Sequence, residues 1–435
     1  MKKINGRRTV SFIDLFAGIG GIRKGFESAL ADKGLVGKCV LTSEIKPYAV
    51  DVLMDNHPGE SILGDITQIP AKEIPDFDFL LGGFPCQAFS AAGKRLGFED
   101  TRGTLFFEVA RILKEKKPFG FILENVEGLV NHDKVNRSDK IGRTLATILK
   151  TLDELGYKVS WRVLNAKDFS VPQDRKRIYI VGTRKAAPDM KNFECRRKQL
   201  KAVLQRGRPI WESPFAKLLL SHFSLEELPG KSIKDKRGGK DNIHSWDLEY
   251  KGSVSEEQKE LLNAILKERR KKKWAEEFGI DWMDGMPLTE KQIRTFYRHP
   301  NLRGMLSDLA KKGYLKLEHP KKKVGLTRIQ DKNLPQGYNI VAGKMSFEIS
   351  KILDPNGIAP TLVAMDMQHL FVVDGAGIRP LTLREGLRLF GYPDTYKFNV
   401  STENGYDLLG NTVVVPVIRS VANRVLDIFE TEVGG

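Results

Sequence analysis

The chain holds three cysteines, Cys39, Cys86 and Cys195, and one of them stands where a thiol could act as a nucleophile. Cys86 follows a proline in GGFPCQAFS (82–90), directly after the apolar run FDFLLGG (77–83), so it is expected in a turn at the carboxyl end of a strand. Open α/β sheets bind ligands at that edge. A free thiol has a pKa of about 8.5, so little thiolate exists at neutral pH unless positive charge assists. Arg95, Arg102, Arg175 and Arg177 are candidate sources of that charge. A second apolar run, FGFILENVEGL (119–129), brings Glu124 and Asn125 out at the same edge. An isolated carboxylate at a strand end is more often structural, but beside a cysteine nucleophile it can serve a heterocycle as acid or hydrogen-bond partner. Arg175 and Arg177, in VPQDRKRIYIVG (171–182), alternate along an incipient strand and are expected on one face. Cys39 lies in an apolar strand and reads as an inert thiol. The cysteines are odd in number and far apart, with no CxxC or Cys/His pairing, so neither a disulfide framework nor a metal site is expected.

These residues need a frame. Up to Arg184 the chain alternates strand-like and helix-like segments: TVSFIDLF, GIRKGFESALADKG, KCVLTSE, YAVDVLMDNH, FDFLLGG, LFFEVARILKEKK, FGFILENV, IGRTLATILKTLDELG, KVSWRVLN and RIYIVGTR. Apolar strands separated by amphipathic helices imply an α/β, doubly wound, mostly parallel sheet with helices on both faces. Beyond Arg184 prolines and basic clusters interrupt the rhythm, which sets a boundary there; the compact helical pattern returns at RPLTLREGLRLFGYP and LLGNTVVVPVIRSVANRVLDIFE. Three segments are therefore expected: 1–183, 184–375 as a second, smaller, helix-rich domain, and 376–435 re-entering the first.

The turn DLFAGIGGIRKGF (14–26) follows the first strand and opens a helix, where backbone can approach a ligand closely. It is not the dinucleotide fingerprint, because Arg23 occupies the third glycine position after Gly18 and Gly20. Glu44, ending VLTSE, could accept hydrogen bonds from ribose hydroxyls, and Asp65 in GDI could do the same for an adenine amino group. The pattern fits a nucleoside-containing cofactor and leaves a nicotinamide oxidoreductase and a methyltransferase both open.

Charge points to the other partner. Between residues 184 and 330 lie 34 Lys and Arg against 20 Asp and Glu, so all but +2 of the net +16 is concentrated there. Single runs such as KERRKKKW are commonly solvated helix faces, but a basic block beside a near-neutral one favours a polyanion, nucleic acid first. No apolar run approaches the eighteen or so residues of a membrane span, and MKKINGRRTV leads into a strand without a signal-peptide core, so an intracellular protein is expected.

The ordered series DLFAGIGG, Glu44, Asp65, GGFPCQAFS, DTRGTLFFEVARIL, ILENVEGL, QDRKRIYIVG, RPLTLREGLRLFGYP and LLGNTVVVPV resembles the motifs of the DNA (cytosine-5)-methyltransferases. The likeness covers roughly 1–184 and 376–430. It implies a Rossmann-like fold and S-adenosylmethionine as cofactor, released as S-adenosylhomocysteine, with no metal. The cofactor residues it implies are Phe16, Gly18, Gly20, Glu44, Asp65, Ile66, Pro85, Leu105, Asn411 and Val413. Ile45 stands where many members carry an aromatic ring.

Cytosine C5 is too weak a nucleophile to take a methyl group directly. The resemblance implies that Cys86 adds to C6, that Glu124 hydrogen-bonds or protonates N3, that Arg177 contacts O2, and that Asn125 and Arg175 belong to the same site. The base must then be swung out of the duplex, with Gln87, Ser90 and Arg175 as candidate DNA contacts. The family's target-recognition domain falls on the basic block, and Thr361 and Leu362 in APTLVA match its Thr-Leu pair. Within it, residues 293–323 read as helix, break, helix and β-turn extension, either a winged helix or an ordinary helical pair. Double-stranded DNA is the implied partner, with a cognate restriction endonuclease acting separately in a restriction-modification system. A monomeric bacterial protein is expected, cytoplasmic and on the nucleoid through its DNA. The rivals are a tRNA cytosine-5 methyltransferase, whose Cys-Phe-Thr signature is missing from the second domain, and a DNA-binding module without activity.

Overall fold

The computed structural model describes residues 3–4, 7–84, 105–136, 138–324, 327–342 and 347–434. The chain divides into two compact units, the first made of Met1–Gln205, Pro355–Met367 and Thr382–Gly435 and the second of Arg206–Asp354 and Gln368–Leu381.

The first unit is built on strands β1 (Lys3–Ile4), β2 (Arg7–Leu15), β3 (Val36–Ser43), β4 (Ile62–Leu63), β5 (Phe79–Gly82), β6 (Gly120–Val126), β7 (Lys158–Asn165) and β8 (Lys176–Thr183). Helices α1 (Gly21–Asp32), α2 (Pro47–Asn56), α3 (Leu105–Lys116) and α4 (Arg143–Glu154) alternate with them. The sheet runs β4-β3-β2-β5-β6-β8-β7, with β1 paired to β2. From β4 to β6 all pairs are parallel, whereas β8 lies antiparallel between β6 and β7. Burial on both faces requires continuous apolar strands, and Phe79, Leu80 and Leu81 of β5 and Phe121, Ile122 and Leu123 of β6 are fully buried.

The second unit contains α5 (Pro214–His222), β9 (Ser232–Ile233), β10 (Asn242–Ile243), α6 (Glu256–Glu268), α7 (Lys273–Glu277), α8 (Glu290–Ile293) and α9 (Leu302–Lys311). It continues with β11 (Leu315–Glu318), β12 (Lys321–Val324), β13 (Thr327–Gln330), β14 (Gly337–Ile340), β15 (Lys351–Ile352), β16 (Leu370–Asp374) and β17 (Gly377–Pro380). A five-stranded sheet, β10-β9-β15-β16-β17, packs beside α5 around Phe215, Leu219, Ile233, Ile352 and Phe371. The remaining helices enclose a separate apolar cluster that includes Trp246, Leu262, Leu306 and Ile340.

The chain returns to the first unit with α10 (Leu383–Leu389), α11 (Thr402–Asn411) and α12 (Val415–Gly434). Helix α12 lies against α1, and its Phe429 ring meets Phe79 and Phe119 at centroid distances of 5.2 and 4.9 Å. Residues 184–205 and 355–367 also belong to the first unit. Backbone bonds tie the two stretches to each other and to the turn before β8: Leu200 N–H donates to Gly357 O at 2.9 Å and Asp174 N–H to Ala359 O at 2.8 Å.

Candidate active site at the carboxyl edge of the sheet

Strand β2 pairs with β3 on one side and β5 on the other, so the strand order reverses at β2 and a crevice opens beyond the carboxyl ends of β2 and β5. The glycine turn lies there. Phe16, Gly18 and Gly20 all take left-handed backbone, at φ 55°, 54° and 69°, which lets the chain leave β2 and reverse into α1 with Gly20 as N-cap. A Cβ on Gly18 would meet nothing among the described residues within 4 Å.

Glu44, at the end of β3, ties into this turn. Its Oε2 accepts from the Gly18 N–H at 2.7 Å, and Oε1 accepts from the Ile45 and Lys46 N–H groups, each at 2.9 Å. Oε2 keeps a lone pair for a further donor. The neighbouring β4 edge carries Asp65, exposed, whose Oδ1 caps a short helical turn by accepting from Thr67 N–H at 2.9 Å. Ile66 is buried, and Arg111 of α3 donates to the carbonyls of Ile66 and Ile69 at 3.2 and 3.0 Å, linking that turn to the helix that Leu105 begins. Ile45, in the position where many relatives carry an aromatic ring, is exposed.

The C-terminal segment closes the other flank. Asp407 of α11 accepts from Lys46 Nζ and Tyr48 OH, both at 2.7 Å, and Asn411 Nδ2 donates back to Asp407 at 2.8 and 3.0 Å. A Cβ on Gly21 would come within 2.8 Å of Val413 Cγ2 and 2.7 Å of Tyr392 OH. Tyr396 OH donates to Ile19 O at 2.6 Å. Phe16, Gly18, Gly20, Glu44, Asn411 and Val413 thus gather around one turn, with Asp65, Ile66 and Leu105 tied together beside β4.

The acid and its partner lie on β6 and β8. Because β8 is antiparallel, its first residues reach the edge where β6 ends: Glu124 is opposite Tyr179 and Val126 opposite Arg177. Glu124 and Arg177 are therefore diagonal neighbours on one face, and Arg177 Nε stands 3.1 Å from Glu124 Oε1. Glu124 is 8% exposed; burial pushes its carboxyl up, and the Arg177 and Arg175 charges oppose that rise. Its Oε2 would lie 3.6 Å from a Cβ on Gly83, three positions before Cys86. Asn125 faces the other way: Nδ2 donates to Phe84 O at 2.8 Å and Oδ1 accepts from Val126 N–H at 2.8 Å, joining the ends of β5 and β6. Cys86 lies outside the described residues, as do Pro85, Gln87, Ser90, Arg95 and Arg102.

Arg175 does not share the face of Arg177. It precedes β8 and is buried, donating to the carbonyls of Leu362 (2.8 Å), Gly410 (3.1 Å) and Thr412 (2.9 Å), with its guanidinium 5.1 Å from the Phe390 ring centre. Thr361 Oγ1 donates to Asp174 O at 2.6 Å, and Leu362 N–H donates to Gln173 Oε1 at 3.3 Å. Gln173 in turn donates to Leu389 O at 2.9 Å. A cleft of about 440 Å³ opens here, lined by Val126, Glu127, Gly128, Asp174, Lys176, Arg177, Pro360 and Thr361.

Several contributors escape sequence reasoning. Gln173, Tyr392, Tyr396 and Asp407 act through long-range bonds that no spacing reveals, although Gln173 and Tyr392 sit inside the motifs QDRKR and FGYP. Arg23, in the third-glycine position, makes two bonds to Glu60 at 2.6 and 2.7 Å and one to Glu27 at 2.8 Å. Burial pushes the Cys39 thiol up to about 11, and Cys195 is exposed. Among the described residues no three His, Cys, Asp or Glu side chains converge as metal ligands, and no helix is long and apolar enough to cross a membrane.

Comparison with known proteins places this geometry. The chain is 65% identical to the type II methyltransferase M.NlaIV of Neisseria lactamica and 63% identical to M.NgoBV of Neisseria gonorrhoeae, each over 96% of this chain and 99% of the relative. It is 41% identical to M.BanI of Aneurinibacillus aneurinilyticus over 98% of this chain and 96% of that one. Among solved structures, the Entamoeba histolytica methyltransferase EhMeth superposes with a TM-score of 0.52 at 14% identity, covering 97% of this chain and 99% of that one, a likeness of fold. The family described as C-5 cytosine-specific DNA methylase matches residues 10–427, from the first long strand into the last helix, and the chain belongs to that family.

Proposed function

We propose that the protein transfers a methyl group from S-adenosylmethionine to C5 of a cytosine turned out of a specific double-stranded DNA sequence, through a transient bond between Cys86 and C6. The observation that carries the reading is the buried Glu124 carboxyl, paired with Arg177 at 3.1 Å beside Gly83 at the strand end that leads to Cys86. A carboxyl whose proton affinity burial raises is suited to donate to N3 while O2 takes a hydrogen bond from a guanidinium.

The residues around the glycine turn suit the cofactor. The left-handed turn, the free lone pair of Glu44 Oε2 and the exposed Asp65 match the donors of a ribose and an adenine amino group. When bound, the cofactor supplies an electrophilic methyl group and leaves as S-adenosylhomocysteine. The Cys86 thiolate forms a bond to C6, and the displaced electron pair moves into the ring, where Glu124 donates to N3 and Arg177 to O2. C5 becomes an enamine carbon able to attack the methyl. A base then takes the C5 proton as the C6–S bond breaks and the thiolate returns. Arg175 acts as a positioning residue that clamps Leu362, Gly410 and Thr412, and Asn125 fixes the chain before Cys86 through Phe84. Thr361, on the rim of the cleft, is assigned a DNA-backbone contact, whereas Leu362, also expected there, is fully buried and offers only its backbone, whose carbonyl Arg175 holds. The type II names of the relatives make a separately acting restriction endonuclease the proposed partner.

Two measurements test this reading. Cys86→Ala is expected to abolish methyl incorporation into duplex DNA while cofactor affinity stays within a few-fold of wild type. A duplex carrying 5-fluorocytosine at the target is expected to become covalently attached to the wild type and not to the variant. Full turnover by the alanine variant, or methyl incorporation into tRNA in place of duplex DNA, would sink it.

A further inference from the structure

Apart from α5, the second unit keeps its helices around an apolar cluster of their own, spanning residues 246–340. Their connectivity has a definite order. Helix α6 is followed by the short α7, by Leu288, an isolated bridge residue that exchanges backbone bonds with Tyr338 of β14 (2.9 and 2.8 Å), then by α8, α9, β11, the β12–β13 hairpin and β14. Strand β11 pairs antiparallel with β14, and the hairpin projects between them in sequence. With the bridge residue Leu288 in place of a first strand and the short α7 interposed, the order of helix, bridge, helix, helix, strand, hairpin and strand parallels that of a winged helix. The helical bonds after α8 reach Tyr297, so four residues, 298–301, separate it from α9, the length of a helix-turn-helix connection.

The base of the hairpin is fixed. A Cβ on Gly337 would lie 2.6 Å from Leu288 backbone, so only glycine permits the strand crossing. Buried Asn339 accepts from Arg269 Nη1 at 2.6 Å and donates to Gly285 O at 3.0 Å and Glu318 Oε1 at 2.6 Å, joining β14 to α6 and β11. Helix α9 packs Leu302, Met305, Leu306 and Leu309 inward and leaves Arg303, Ser307 and Lys311, at i, i+4 and i+8, on one exposed stripe.

Charge identifies the occupant. Residues 290–330 contain 11 Lys and Arg against three Asp and Glu. Arg298, Lys311, Lys321 and Lys323 have no acidic partner within ion-pair distance among the described residues, while Lys312, Lys316 and Lys322 are paired with Asp308, Glu318 and Asp331 and the exposed Arg303 only approaches Glu290, at 4.0 Å. Leu317 and Ile329 are exposed singly on separate strands, too little for a protein-docking patch. An inward apolar face, a polar outer stripe and a cationic hairpin fit a duplex groove and its flanking phosphates.

We propose that α9 enters the major groove of the methylated duplex with Arg303, Ser307 and Lys311 toward base edges, while Lys321 and Lys323 of the hairpin hold neighbouring phosphates. This rests on the reading that the enzyme acts on duplex DNA. The test uses the full chain with S-adenosylhomocysteine and measures fluorescence anisotropy on two duplexes, one carrying the sequence mapped by bisulfite sequencing and one scrambled. The double variant R303A/S307A is expected to weaken target binding by about tenfold or more and scrambled binding far less, since base contacts discriminate. K321A/K323A is expected to weaken both duplexes alike and to flatten the slope of log affinity against log salt by about 2. R206A/K217A, removing two exposed cations elsewhere in this unit, controls for net charge. Equal loss on both duplexes with the helix variant, no loss with either variant, or a matching loss in the control would overturn the proposal. Failure of the wild type to methylate cytosine in duplex DNA would instead sink the functional reading, and circular dichroism melting reports any misfolding of the variants.

Discussion

Glu124 draws its chemistry from its address. On a solvated loop it would be ionised at neutral pH; buried at the end of β6, its carboxyl holds a proton more tightly, with Arg177 restraining the shift. Thiolate attack favours high pH and the protonated acid favours low pH, so kcat/KM should follow a bell. Glu124→Gln should remove the alkaline limb and lower the rate about 10²-fold or more, read from pH–rate profiles on a defined duplex. Asp14 makes a stability prediction. Among the described residues neither of its buried carboxylate oxygens has a hydrogen-bond partner, and burial raises its pKa well above 3.8. The folded state therefore binds the proton more tightly than the unfolded chain, and this residue's contribution to stability falls as pH rises from about 3.8 through the raised value. Asp14→Asn should be more stable than wild type at neutral pH, by about 1–3 kcal/mol in urea titrations, with the difference shrinking in acid. Residue types at strand ends were legible because Glu124 and the glycine turn lie where apolar runs stop. Arg175 was not: alternation suggested the face of Arg177, but it precedes the strand and turns to carbonyls more than 180 residues away in sequence.

At the scale of elements, the parallel sheet could be read from buried apolar strands alternating with amphipathic helices. The reversed direction of β8 could not, since no local pattern records which way a strand runs, yet that reversal brings Arg177 to Glu124. The packing of α1 on α12 was equally hidden, resting on Gly25, where a Cβ would meet Ile418 Cβ at 2.5 Å and Val415 O at 2.8 Å. Gly25→Ala should force the helices apart and cost about 1–3 kcal/mol, seen as a lower midpoint in urea with an unchanged m-value.

For the whole molecule, the uneven charge was plain in the sequence, because counting needs no structure. With all but +2 of the net +16 between residues 184 and 330, duplex affinity should drop about 10³-fold or more between 50 and 200 mM salt if six or more phosphates are neutralised. A titration showing less than tenfold loss would place the binding energy elsewhere. The division of the chain was less legible, since the boundaries follow long-range bonds: the basic stretch 184–205 and the nearly uncharged stretch 355–367 both sit with the sheet. That interleaving governs how such enzymes can exchange specificity. A transplant of the smaller unit between relatives must be made as two inserts, 206–354 and 368–381, leaving the host's own 355–367 in place. A single cut across that stretch would deprive Arg175 of the Leu362 carbonyl and disable a chimera whose reactive cysteine was never touched.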